Sequence, residues 1–151
     1  MKISELISSK RVFFVDTKDK FSLFKKMAEI SSEILKLTDS EDILKLLNER
    51  EKLGSTYAGS GFAIPHIKCK KIDDFYLFLF ILKSEINYDE DRRIRYVFFV
   101  VGPDRDYQMH LVILSRIARM IKETNISEII LNETDKEKIV KLIFQTEEKI
   151  I

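Results

Sequence analysis

The chain has 151 residues, with 26 Lys+Arg against 25 Asp+Glu and a formal net charge of +1. Hydrophobic residues make up 45% and charged residues 34%, a balance that excludes disorder and suits one core in a single domain, residues 1–151. The even charge excludes a general nucleic-acid binder, the single cysteine, Cys69, excludes an internal disulfide or a cysteine-built zinc cluster, and no apolar run reaches the roughly 20 residues needed to cross a bilayer.

The opening MKISELISSKR lacks the apolar stretch of a signal peptide, so the expected setting is cytoplasmic, with no membrane insertion. Arg11 to Val15 (RVFFV) is short and rich in β-formers and predicts a strand. From Phe21 the period changes. Phe21, Phe24, Met27, Ala28, Ile34 and Leu35 recur at helical spacing. Asp39 or Ser40 opens a second helix, with Ile43, Leu44, Leu46 and Leu47 on its apolar side and a stop near Gly54.

Three of the four glycines, Gly54, Gly59 and Gly61, fall in the next stretch, GSTYAGSGFAIPHIK. Such a loop in a glycine-poor chain is the first place to look for function. Phe75 to Leu82 and Tyr96 to Val101 are continuous apolar runs, as expected of strands covered on both faces. A turn or hairpin at Asn87, Asp89, Glu90 and Asp91 separates them. After Pro103, Asp104 or Asp106 caps a long helix with Leu111, Leu114, Ala118 and Ile121 on one side. A short helix near Ser127 to Leu131 and a last one from Thr134 or Asp135 close an α/β layered domain.

The chain has two histidines, His66 and His110. Pro65 fixes the backbone before His66 and aims its ring beside the glycine loop. His110 falls in the first turns of the helix after Pro103, where the helix dipole disfavours imidazolium and a neutral ring can donate or accept a hydrogen bond. Arg50, at the end of the second helix, offers a planar fork of donors suited to phosphate oxygens. A solvated helix-end cation is the alternative for it. Ser55 and Thr56 supply hydroxyls and amides, either for an anion or for a turn. This inventory fits phosphoryl transfer to a histidine. It contains no Walker lysine motif, no kinase glycine loop and no carboxylate pair set for magnesium, so neither metal nor cofactor is expected and the phosphate arrives already activated. Cys69, flanked by Lys68 and Lys70, reads as an incidental residue on a solvated strand edge.

The run Arg50-Glu51, Ser55-Thr56, then Gly59-Ser60-Gly61-Phe62-Ala63-Ile64-Pro65-His66 resembles the signature of the type-2 EIIA domain of the phosphoenolpyruvate-dependent phosphotransferase system. This is the fructose, mannitol and nitrogen-regulatory class. His110-Leu111, after a strand and a proline, matches the family's second element. Tyr57, Ser60 and Gly102 depart from the usual pattern.

The resemblance implies a mixed β-sheet flanked by helices on both faces. It implies that His66 accepts a phosphoryl group from the phosphocarrier HPr and passes it to an EIIB partner. In the regulatory branch, the phosphorylation state of His66 would instead govern binding to target proteins. It further implies that Arg50 steadies the phosphoryl group, that His110 lies beside the phosphorylated ring, and that Ser55 and Thr56 form the loop hydroxyl pair. Phe62, Ile67 and Tyr57 are the expected apolar rim for a docking partner.

Overall fold

The computed structural model describes all 151 residues. Its elements run α1 (Ile3–Leu6), a 3-10 turn (Ser9–Arg11), β1 (Val12–Val15), α2 (Lys20–Leu35), α3 (Ser40–Lys52), β2 (Tyr57–Gly59), β3 (Phe62–Ala63), β4 (His66–Cys69), β5 (Tyr76–Asp89), β6 (Arg92–Pro103), α4 (Tyr107–Glu123), α5 (Ile126–Ile129) and α6 (Lys136–Glu148).

Aspartates start the long helices. Asp19 accepts from Ser22 N, and Ser22 returns the bond in a capping box. Asp39, Asp106 and Asp135 accept from the first-turn amides of α3, α4 and α6. Of each pair of caps open in the sequence, these are the residues used. Helix α3 stops at Lys52, just before Leu53 and Gly54.

The six strands form one mixed sheet, ordered β1-β5-β6-β3-β2, with β4 also paired to β6. Strands β1 and β5 are parallel, β5 and β6 form an antiparallel hairpin, and β3 and β4 both run parallel to β6. The hairpin turns at Glu90 and Asp91, both at positive φ (40° and 64°) as a two-residue turn of matching twist requires. Strands β5 and β6 extend well beyond the two apolar runs, to 14 and 12 residues, because polar residues near the hairpin tip still pair.

Alternation along β5 sends Leu77, Leu79 and Ile81 to one face and Phe78, Phe80 and Leu82 to the other. The first face packs against α1, α4, α5 and α6; the second packs against α2 and α3. Helices therefore cover both faces, and each core contains 20 buried residues. At roughly 1.5–3 kcal/mol for each fully buried large side chain, both halves contribute heavily to stability.

Several local expectations change in the fold. Phe21 stays 73% exposed, because α2 turns Leu23, Phe24, Met27 and Ala28 to the sheet. Helix α4 buries Ile113, Ile117, Met120 and Ile121, while Leu111 is 64% exposed and Ala118 faces solvent. Cys69 is buried in the α2–α3 core and not on a solvated edge, since β4 lies under α3. The N-terminal turn α1, unsignalled in the sequence, is held by buried Glu147. Its carboxylate accepts from Ile3 N at 2.7 Å and Ser4 N at 3.0 Å, so a charge from α6 caps a four-residue helix.

Candidate functional site

Pro65 interrupts the strand that pairs along β6. Having no N–H, it cannot donate to the ladder, but its carbonyl accepts from Val100 N at 3.1 Å. His66 opens β4 immediately after this break, in register with Val100. Its ring is half-buried, at the wall of a cavity of about 290 Å³ lined with Leu46, Glu49, Arg50, Leu53, Ile67 and Lys68.

The bonds around this ring settle its tautomer. Arg50 Nε donates to His66 Nε2 at 3.1 Å. A guanidinium has only donors, so Nε2 must be the bare nitrogen. On the far side, His66 Nδ1 lies 3.2 Å from Ile64 O. A carbonyl only accepts, so Nδ1 carries the hydrogen and donates it. The neutral ring thus holds its one free lone pair at Nε2, on the side of the cavity. Burial pushes the His66 pKa below its ordinary value of 6.5; the bond to Ile64 opposes this, and the charges of Arg50, Lys68 and His110 add to it.

Arg50 is itself anchored. Its Nη1 donates to Gly54 O at 3.0 Å, across the end of α3. It is a ring-facing cation held by two bonds, not a solvated helix end.

Glu51, the next residue, organises the loop. Its carboxylate accepts from Lys20 Nζ (2.8 Å), Thr56 N (3.0 Å) and Thr56 Oγ1 (2.7 Å), and from the Tyr88 hydroxyl at 3.3 Å. Burial and this neighbouring carboxylate push the Tyr88 phenol far above its ordinary value, so Tyr88 stays a donor at any physiological pH. Ser55 donates its hydroxyl to Asp89 at the hairpin tip and accepts from Tyr57 N. Arg92 pairs with the same Asp89 and lies over the Tyr57 ring.

The sequence leaves Ser55 and Thr56 open to an anion or a turn; the structure engages both hydroxyls with carboxylates. They fasten the loop that carries Gly54, and so set the height of Arg50. The pairings span 34 residues for Ser55 and 32 for Thr56 with Tyr88, beyond the reach of local pattern.

His110 lies on the first turns of α4 and is only 2% exposed. Its Nε2 lies 2.8 Å from Pro103 O, a bond in which nitrogen must donate. Its Nδ1 is buried with no partner. The edge of Phe75 meets its ring at a centroid distance of 4.7 Å.

The docking rim differs from expectation. Phe62 and Ile67 are 0% and 3% exposed, because β3 and β4 are internal to the layers. Among the exposed apolar side chains are instead Leu53 (85%), Tyr107 (55%) and Leu111 (64%). Leu53 lines the His66 cavity and Tyr107 carries Lys68 Nζ over its ring at 4.7 Å, while Leu111 lies on the outer face of α4 with Val112 and Ser115. No sequence signal marked Leu53: it falls seven residues after Leu46, in phase with the apolar side of α3, and its exposure follows from the helix ending at Lys52.

Residues 5–146 match the model of the phosphoenolpyruvate-dependent sugar phosphotransferase system EIIA 2 family. The chain belongs to this family. A nitrogen regulatory protein of Bradyrhizobium diazoefficiens is 29% identical over 121 residues, covering 78% of this chain and 79% of that protein. The fructose-specific EIIABC component of Bacillus subtilis is 24% identical over 148 residues, covering 96% of this chain but 23% of that longer protein. Among EIIA structures, nitrogen regulatory protein IIA-Ntr of Neisseria meningitidis superposes with a TM-score of 0.85 at 22% identity, covering 93% of this chain and 98% of that one. The mannitol enzyme IIA of Escherichia coli, in its complex with phosphorylated enzyme IIB, superposes with a TM-score of 0.74 at 14% identity, covering 92% and 97%. At these identities the structural likeness is one of fold: the mixed sheet and its two helical layers are those of EIIA domains. No helix is long and apolar enough to cross a membrane.

Proposed function

We propose that this EIIA-type domain carries a phosphoryl group on His66 Nε2, taken from phospho-HPr and passed to an EIIB partner. The observation that carries the reading is the fixed tautomer of His66. Its only lone pair sits at Nε2, in a cleft open to a partner, while Nδ1–H is tied to Ile64 O.

The transfer is an in-line displacement. The Nε2 lone pair attacks phosphorus, the phosphorus–nitrogen bond of phospho-HPr breaks, and the HPr histidine keeps that electron pair. Arg50 first holds the lone pair; its Nε then turns to the equatorial phosphoryl oxygens. The bond from Nη1 to Gly54 O keeps the guanidinium in place during this exchange. A preorganised donor of this kind contributes roughly 2.7–4 kcal/mol to transition-state stabilisation. Because the pKa of His66 is depressed, the ring remains unprotonated and ready at pH 7. His110 stands by the phosphoryl group as an orienting ring. Ser55 and Thr56 hold the loop, and no metal or cofactor enters the transfer. The exposed Leu53 and Tyr107 suit a small, quickly released contact with HPr and EIIB, of under about 1,200 Å² in total. All three would meet in the cytoplasm.

A second reading is favoured by the nitrogen regulatory protein that covers 79% of its own length with this chain. In that reading, phosphorylation of His66 controls binding to target proteins. A phosphoryl group adds about −1.5 to −2 charges beside Arg50, Lys68 and the exposed Leu53, enough to change which partner docks.

The test is incubation with enzyme I, HPr and phosphoenolpyruvate, followed by intact mass. Wild type gains one acid-labile phosphate and His66→Ala gains none. A wild type left unmodified beside phosphorylated HPr overturns the carrier reading. Onward transfer to an EIIB domain supports the transport reading, and its absence supports the regulatory one.

A further inference from the structure

Gly102 lies on β6 opposite Lys68, one same-face step beyond the pair His66–Val100. Ile67 and Cys69 point into the α2–α3 core, so the alternate residues His66 and Lys68 leave that face; Lys68 Nζ lies over the Tyr107 ring at the start of α4, and the His66 ring is met from α3 by Arg50. Same-face residues are about 6.6 Å apart along a strand and neighbouring strands about 4.8 Å apart, which puts Gly102 about 8 Å from His66 on the same surface.

Over Gly102 stand two rings. A Cβ on this glycine would lie 2.6 Å from His110 Cε1 and 2.6 Å from Cδ1 and Cε1 of Phe75. The absent side chain is therefore filled from both sides, by His110 from α4 and by Phe75 from the approach to β5. The two rings meet edge to face, with 67° between their planes, a favourable aromatic geometry. Pro103 O fixes the third side through His110 Nε2. Strand, phenyl ring and carbonyl together hold the imidazole on three sides. Its Nδ1 is left as a buried polar atom without a partner, the kind of vacancy that native structures keep for a reason.

We propose that Phe75 and Gly102 are positioning residues for phosphoryl transfer: they form the socket that holds His110 with Nδ1 unpaired beside His66. The proposal rests on the carrier reading of His66. Neither residue touches the phosphoryl group; both act through the orientation of His110.

Three variants test it: Gly102→Ala, Phe75→Leu and Phe75→Tyr. Nitrogen-15 NMR of labelled histidines reads the tautomer of His110, and rapid quench with phospho-HPr reads kcat and KM separately. Wild type shows one tautomer, protonated at Nε2. Gly102→Ala, whose methyl collides with both rings, loses that signature and loses at least ten-fold in kcat with KM unchanged. Phe75→Leu, which introduces no collision, gives mixed tautomers and a three- to ten-fold loss. Phe75→Tyr keeps the ring and restores the wild-type tautomer and kcat. Wild-type kcat in both Gly102→Ala and Phe75→Leu overturns the proposal, as does a kcat loss without any change at His110. If Gly102→Ala does not fold, Phe75→Leu against Phe75→Tyr decides. Should wild type itself take no phosphate, the carrier reading falls as well, and that outcome is distinct because wild type and variants then fail together.

Discussion

Replacing Glu51 with alanine removes the acceptor at the centre of the loop network, and the loss follows from its partners. Thr56 N–H, in a residue 7% exposed, has Glu51 Oε2 as its acceptor at 3.0 Å. Leaving such a buried donor unmade costs about 1–3 kcal/mol. The Thr56 hydroxyl keeps the Tyr88 hydroxyl at 2.7 Å and adds little. The Lys20–Glu51 pair has side chains 26% and 10% exposed. Breaking a fully buried pair costs about 3–5 kcal/mol and an exposed one less than about 1, so this pair falls between, at about 1–2 kcal/mol. The sum is about 2–5 kcal/mol, and at about 2–4 °C per kcal/mol for a chain of this size the thermal midpoint falls by about 4–20 °C. Thermal melting by circular dichroism measures the drop, and urea unfolding with an unchanged m-value shows that stability alone has moved. A double cycle with Lys20→Met should return about 1–2 kcal/mol of coupling. A midpoint within about 3 °C of wild type would refute the reasoning, because Thr56 N–H and Lys20 would then have found other partners at no cost.

Three further outcomes are expected. Arg50→Lys keeps the charge but cannot bond the ring and Gly54 O together; phosphoryl transfer slows by about 10²–10³-fold in a rapid-quench assay, while unphosphorylated HPr binds as before. The acid limb of the rate profile lies below pH 6.5, because burial and Arg50 lower the His66 pKa, and in Arg50→Ala it moves up towards 6.5. The sign is the same for stability: the unfolded chain takes a proton at the ordinary value, so the contribution of His66 is complete above pH 6.5 and is lost as pH falls through the folded value, a trend that urea titrations show weakened in His66→Gln. Cys69, buried under α3, resists a thiol reagent in the native protein and reacts at once in denaturant, despite the lysines on either side.

The sequence alone determined the kinds of element and the motif that runs from Arg50 to His66, because both are written at short range. Aspartates before apolar periods mark the starts of α3, α4 and α6 within a residue or two, and the spacing from Arg50 to His66 is a local motif read without a fold. The N-terminal turn α1 escaped this reading because its cap, Glu147, lies 144 residues away from Ile3.

Only the tertiary structure decided which atoms face which. The bare nitrogen of His66 is known from two bonds, and one of them reaches back 16 residues to Arg50. Ser55 and Thr56 have the same hydroxyls whether they hold an anion or a loop; Asp89 and Tyr88 arrive from distant positions and, with nearby Glu51, choose the loop. The outer face of α4 shows the same limit. Its apolar residues surround much of the helix, so periodicity permits Leu111 or Ile113 to face inward, and the contact with the sheet selects Ile113. Local spacing sets what a segment can form and which chemistry it carries, since those depend on bonds within a few residues. Orientation, burial and pairing depend on surfaces that meet only when the sheet and both helical layers close.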